Sequence, residues 1–249
     1  MRLKLISCEV FYREACFVVA RSRNTIDIEF LPKGLHDLGA CRMQARIQEA
    51  FDRVEESRYD AILFAYGLCN NGLAGLTART IPLVLPRAHD CITLFLGSRQ
   101  RYFAYFDTNS GVYFRTTGWM ERGENPEELN QLSIRRMNGL DLSYEEMVAK
   151  YGEDNAGYLY GLLSDETRNY NQLTFIPMGV EPDGSFEQSA REEAARRGWQ
   201  FDRVAGDLSL LQRLVDGIWD ESEFLIVPPG HRVVASYDEG IVATEAISV

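Results

Sequence analysis

YDAILFAYGLCNNGLAGL, residues 59–76, reads as a buried strand running into a glycine-rich loop that carries a cysteine. The apolar run 59–66 has the length and aromatic content of a strand covered on both faces, which is the mark of a parallel sheet. Parallel neighbours need crossover connections, so helical patterns should flank it. They do. Upstream, 3–7 reads as a first strand, 13–21 as a short helix and 25–31 (TIDIEFL) as a second strand. The segment 38–56 reads as a helix with Met43, Ile47, Ala50, Phe51 and Val54 on one face. Downstream, 74–79 reads as a short helix, 81–85 (IPLVL) as another buried strand and 89–101 as a helix.

The remainder extends the pattern. Residues 102–124 are rich in aromatics and Gly, as in a hairpin or an irregular excursion over a site, and 127–138 and 144–165 read as helices. Gly152 and Gly157 weaken the second of these. A second βαβαβ unit is expected from strand 173–178, helix 185–197, strand 199–204, helix 208–219 and strand 223–228. The fold class is therefore α/β, a Rossmann-like parallel sheet in two βαβ lobes. Residues 1–124 form the first lobe, and 125–249 a helical bridge with the second; a single large sheet is the competing arrangement.

A chain of 249 residues buries a sizeable core without covalent staples, and 45% hydrophobic with 25% charged residues is ordinary globular usage. A net charge of −11 argues against nucleic-acid or anionic-membrane partners, which need clustered Lys and Arg. The opening MRLKLISCEV is expected to be a strand rather than a leader, and no run approaches the ~20 apolar residues of a spanning helix. A soluble, cytoplasmic protein is expected. Five cysteines, an odd number, do not suggest a disulfide framework in a reducing compartment.

Ligands in open parallel sheets bind beyond the carboxyl ends of the strands. Cys8 follows the first strand, Cys69 lies in the loop after 59–66, and His89 and Cys91 follow 81–85. Thiolates and imidazole are soft ligands suited to zinc or iron–sulfur centres. Helix N-termini are expected to favour Cys8 and Cys91 as thiolates even without metal. Cys16 and Cys41 fall inside helices and are expected to be buried structural thiols. Gly67, Asn70 and Gly72 suit a tight loop that points N–H groups at a ligand, and Arg87 flanks the same edge. Asp90 either orients His89 or caps the following helix, and Glu9 is a general base or a solvated side chain. His36 is placed to reach this edge from the second strand, and His231 either closes the site or lies on the surface. No GxGxxG, GxxxxGK[ST], GxSxG, CxxC or HExxH motif is present.

LKLISCEVFYRE (3–14), GLHDLG (34–39), YDAILFAYGLCNNGLAGL, PLVLPRAHDCITLFLGSRQRY (82–102) and TTGW (116–119) together resemble DUF1638, a family of uncharacterised proteins from anaerobic bacteria and methanogenic archaea. The resemblance covers most of the first 120 residues and carries Cys8, Cys69, His89, Asp90 and Cys91 as motif positions. It implies a neighbourhood of corrinoid-dependent methyltransferases and anaerobic one-carbon metabolism.

The expected function is a metal-dependent enzyme acting on a small molecule. Cys8, Cys69 and Cys91 would hold a [4Fe-4S] cluster with one open coordination position, His89, Asp90 and Glu9 would handle protons, and Gly67, Asn70, Gly72 and Arg87 would bind the ligand. The alternatives are a zinc-thiolate methyl-transfer protein, an accessory or chaperone protein docking on a corrinoid protein or methyltransferase, and a metal-free thiol nucleophile.

Overall fold

Leu3, Leu5 and Ile6 in one segment and Ile62, Leu63, Phe64 and Ala65 in another are fully buried, as strands covered on both faces must be. In the computed structural model, which describes residues 1–69, 71–109, 111–123, 126–138, 142–163 and 169–247, they form the centre of a mostly parallel sheet. In chain order, β1 is Arg2–Cys8, α1 Tyr12–Arg21, β2 Thr25–Leu31, α2 Ala40–Asp52, β3 Ala61–Ala65, β4 Leu83–Pro86, α3 Cys91–Leu96 and α4 Arg99–Phe106. Then follow β5 Val112–Arg115, α5 Thr117–Glu121, α6 Glu127–Gln131, α7 Ile134–Met137, α8 Tyr144–Tyr151 and α9 Glu153–Leu163. The chain continues with β6 Gln172–Phe175, α10 Ser185–Arg197, β7 Gln200–Arg203, α11 Ser209–Asp216, β8 Phe224–Val227, β9 His231–Ala235 and β10 Val242–Ala246.

The main sheet has the order β2-β1-β3-β4-β8, with the first four strands parallel and β8 antiparallel on β4. From β1 the chain winds first to β2 on one side and then to β3 on the other. The gap between the carboxyl ends of β1 and β3 is therefore the topological switch point, where such sheets bind ligands. A second parallel sheet, β5-β6-β7, has its own small core of Leu173, Phe175, Ala190 and Ala194. The hairpin β9-β10 forms a third, two-stranded unit.

The α/β class stands, and several element assignments change. Phe224–Val227 does not close a second βαβαβ unit but adds to the edge of the first sheet, because Arg87 N bonds Glu223 O at 2.8 Å and the strands then run in opposite directions. β5 supplies the third strand of the second sheet. Residues 74–79 are not helical: Gly75, at φ +94°, donates its N–H to Val233 O, and Thr77 bridges to Arg232. The expected helix 89–101 breaks at Gly97, φ +81°, where Ser98 starts α4 by capping Arg101 N. Gly152 likewise separates α8 from α9, and Glu124 and Asp165, at the ends of expected segments, lie outside the described residues. Cys16 and Cys41 are exposed, not buried, because the inward faces of their helices are taken by Glu14, Ala15 and Val18 and by Met43, Ile47, Ala50 and Phe51. Among the described residues, no helix is long and apolar enough to cross a membrane.

One buried carboxyl lies apart from the sheet edge. Glu14 on α1 is 1% exposed, and neither of its oxygens has a hydrogen-bond partner among the described residues. Desolvation pushes its carboxyl from the ordinary 4.5 up to about 7; Glu181 and Glu121 add to the rise and Arg13 opposes it. The folded state thus holds this proton to higher pH than the unfolded chain, so stability falls as pH rises from 4.5 to 7 and stays lower above that window. Glu14→Gln is expected to leave the melting temperature unchanged at pH 4.5 and to raise stability at pH 8 by up to roughly 3 kcal/mol. Calorimetric melting at the two pH values checks this; an equal effect at both would show that the carboxyl titrates in the folded protein as it does in the unfolded chain.

Candidate metal or thiol site

Cys8 is the last residue of β1, in register with Leu31 of β2, and its side chain points into the core at 1% exposure. Two residues past the end of β3, the Gly67–Cys69 segment stays hydrogen-bonded to the segment after β4: Leu68 N donates to Ala88 O at 2.8 Å and Cys69 N to His89 O at 2.9 Å. Main-chain bonds therefore hold the two loops together beyond the strands. Gly67 is required there, because a Cβ would sit 2.6 Å from the Asp90 backbone. Cys69 itself takes a left-handed φ of +44°, which costs a non-glycine residue roughly 1 kcal/mol or more and is characteristic of functional loops. Cys91 opens α3, whose first turn is capped by the Asp90 carboxylate accepting from Ile92 N at 2.9 Å.

The three thiols converge. Cys8, Cys69 and Cys91 are all buried and close enough for each thiolate to oppose formation of another. His36 joins them, its Nε2 3.6 Å from Cys8 Sγ and its ring stacked on Tyr66. Burial pushes the Cys8 thiol up to about 12 and raises Cys69 and Cys91 as well, although amide N–H groups of Val10, Gly67 and Cys91 partly offset this. The helix N-terminus therefore does not make Cys8 or Cys91 thiolates unaided, contrary to the expectation from sequence: desolvation outweighs the field of one short helix. Burial also lowers His36 to about 4, so its imidazole is neutral at pH 7 and able to donate a lone pair.

Above this cluster lies α5. Gly118 packs so closely on α1's approach that a Cβ would overlap the Val10 carbonyl, and Arg13 Nε clamps Glu121 at 3.0 and 2.9 Å. Arg122 stacks over the Tyr12 ring at 4.6 Å. The helix is thereby fixed as a roof, with Trp119 suspended over the sulfurs. A cleft of about 590 Å³ opens between the two parallel sheets, lined by Cys69, Cys91, His36, Trp119, Tyr113 and Arg115 among others.

The remaining sequence candidates divide. His89 lies exposed at the cleft, its ring edge-on to Phe103 at 5.9 Å. Asp90 lines the cleft as the α3 cap, also accepting from Tyr102 OH at 3.1 Å, and burial raises its carboxyl above the usual range. Glu9 accepts Lys33 N at 2.7 Å and holds the turn after β2. Arg87 is directed elsewhere: its guanidinium donates to the carbonyls of Glu221, Gly240 and Val242, tying β4 to the C-terminal hairpin. Gly72 packs on Met43 of α2, outside the cleft lining, and Asn70 lies outside the described residues. His231 sits on β9 with Nδ1 3.2 Å from Pro229 O. Tyr66 and Trp119 were not singled out from sequence; the glycine of TTGW, demanding close backbone approach, was the available signal. Among the described residues, no group of three or more His, Cys, Asp and Glu side chains stands in a metal-holding arrangement.

Exposure separates the cysteines into two classes, with a direct chemical consequence. In the native protein at pH 8, iodoacetamide is expected to alkylate Cys16 and Cys41 and to spare Cys8, Cys69 and Cys91, all five reacting only after unfolding. Peptide mass spectrometry reads the pattern. Rapid native alkylation of Cys91 would contradict the buried, protonated site.

No curated protein and no solved structure matches the chain. Over residues 30–215, which take in β3 to β7 and the site residues from His36 to Trp119 but not Cys8 and Glu9, it matches the family described as Protein of unknown function (DUF1638). The chain belongs to the DUF1638 family.

Proposed function

We propose that this protein is a cytoplasmic metalloenzyme whose Cys8, Cys69 and Cys91 thiolates hold a [4Fe-4S] cluster at the switch point of the main sheet, facing a small-molecule cleft. The observation that supports it is the placing of three buried thiols at one edge of the sheet, with a half-buried, neutral imidazole 3.6 Å from one of them. Soft donors of this kind fit an iron–sulfur or zinc centre. A compensating cation also resolves the electrostatic problem: three desolvated thiols remain protonated by themselves, whereas a metal drives them to thiolates. Binding requires the three side chains to turn inward about their Cα–Cβ bonds, since they are not gathered around one point as they stand.

A cluster on three thiolates supplies a Lewis-acidic or redox-active iron open to substrate. The chain's own residues have separate tasks. Trp119 and α5 exclude water from above; Cys69 and Cys91 face the cleft, whereas Cys8 lies behind them outside its lining. His89, exposed at the same cleft, exchanges protons with a bound molecule, and Asp90, tied to Ile92 N and Tyr102 OH, fixes the loop that carries it. Tyr113 and Trp119 give the cleft apolar walls, and Arg115, paired with Glu193 at 2.9 Å, contributes a neutralised polar edge. The substrate is accordingly a small molecule, and the link to anaerobic one-carbon and corrinoid chemistry rests on the family resemblance.

His36 favours a second reading. With imidazole added to three thiolates, zinc would be closed by four protein ligands, leaving a structural or thiolate-activating site. A metal-free thiol nucleophile is disfavoured by the same burial that raises all three thiols.

Protein purified without oxygen and without added metal is expected to contain about four irons with matching sulfide; about one zinc and no colour would select the second reading. Cys8→Ser, Cys69→Ser and Cys91→Ser should each lose most of the metal, and Cys16→Ser and Cys41→Ser should keep it. Full retention in all three site variants would sink the shared-ligand proposal.

A further inference from the structure

The site contains two buried hydrogen-bond donors with no oxygen or nitrogen acceptor, each of which lowers a neighbouring thiol. Tyr66 is 1% exposed and its hydroxyl is buried without a partner; Trp119 Nε1 is likewise buried and unpartnered among the described residues. A buried unmade hydrogen bond costs roughly 1–3 kcal/mol, so two of them side by side in one small site need a physical account. Their direction supplies it. The Tyr66 ring lies under His36, whose Nε2 is 3.6 Å from Cys8 Sγ, and its hydroxyl faces that sulfur. Trp119 lines the cleft beside Cys91, and its N–H faces the Cys91 sulfur. A neutral thiol is a feeble acceptor, whereas a thiolate accepts a charge-assisted bond about twice as strong as a neutral one.

We propose that Tyr66 Oη–H and Trp119 Nε1–H are preorganised donors to the thiolate forms of Cys8 and Cys91, positioning residues idle while the sulfurs are protonated and engaged when a soft cation binds. The inference rests on the metal-site reading above. Each cysteine that binds the cation releases its proton to solvent, and the two donors then bond to sulfurs that also carry the cation. Gly118 and the Arg13–Glu121 clamp serve this placement: they set the height of Trp119 above Cys91. Cys69 relies instead on backbone, from the amides of Gly67 and Cys91. Each of the three sulfurs thus has a donor of its own.

The test uses cadmium chloride on the metal-free full chain, read by chelator competition and by the thiolate-to-cadmium ultraviolet band, beside melting of the metal-free protein. Tyr66→Phe deletes one oxygen and keeps the ring. It is expected to weaken cadmium binding about tenfold, within the range of outer-shell partners, and to move the band to longer wavelength, while metal-free melting stays equal or rises. That opposition of signs is what a structural role cannot produce, since losing a structural hydrogen bond lowers metal-free stability too. Trp119→Phe shrinks the ring, so its readout is the band, expected to shift in the same direction. Wild-type protein that binds no cadmium would overturn both the metal-site reading and this one. Tight wild-type binding with unchanged affinity and band in both variants, or a fall in metal-free melting for Tyr66→Phe, would overturn the donor assignment alone.

Discussion

The site depends on the close pairing of two loops. The segments after β3 and β4 are tied to each other past the strands by two main-chain bonds, Leu68 N to Ala88 O and Cys69 N to His89 O. This holds the backbone of Gly67 against that of Asp90 with no room for a side chain. Because the register is fixed by main-chain bonds, Cys69 and Cys91 are brought together whatever their own side chains prefer. The left-handed turn at Cys69, φ +44°, is the local cost of redirecting the chain after that pairing. Cys8 arrives independently, at the end of β1 beside β3, so three separate strand ends deliver the three cysteines to one edge of the sheet.

Burial then decides the chemistry. A thiol at a helix N-terminus in water becomes more acidic; the same thiol under a tryptophan roof, with two other thiols nearby, becomes less so. Desolvation keeps Cys8 protonated and His36 unprotonated at neutral pH, and it raises the Asp90 carboxyl above its usual range. Such buried, protonated thiols resist alkylation, and on the proposed reading a bound cation would have to displace their protons.

Much of this was legible in the sequence, in proportion to how local the cause was. Thr25–Leu31 and Ser185–Arg197 were read to the residue because alternation and helical spacing are properties of the segment itself. The positions of Cys8, Cys69 and Cys91 followed from strand ends. Phe224–Val227 was recognised as a strand, but four apolar residues carry no direction, and its antiparallel place depends on a distant partner. Residues 74–79 looked helical until Gly75 was committed to β9. The burial of Cys16 and Cys41 was misread because their helices turn other faces inward. The roof was the hardest to foresee. Trp119 reaches the sulfurs only because Gly118 tolerates the Val10 carbonyl, and contact between residues a hundred positions apart leaves no periodic trace.

The fixed roof also makes the three sulfurs inequivalent. Gly118 against Val10, Arg13 on Glu121 and Arg122 over Tyr12 tie α5 to the segment 10–13, so access from above would require breaking a bidentate ion pair and a close backbone contact together. The remaining approach is the cleft between the sheets, whose lining includes Cys69 and Cys91 but not Cys8. A molecule in that cleft meets Tyr113, His89, Trp119 and His36 as well as the two cysteines, with Cys8 outside the lining. The second sheet, through β5 and the turn into α5, supplies one wall of the cleft and its roof, and the first supplies the three cysteines. Neither sheet alone would make a site; the working unit is the junction between them.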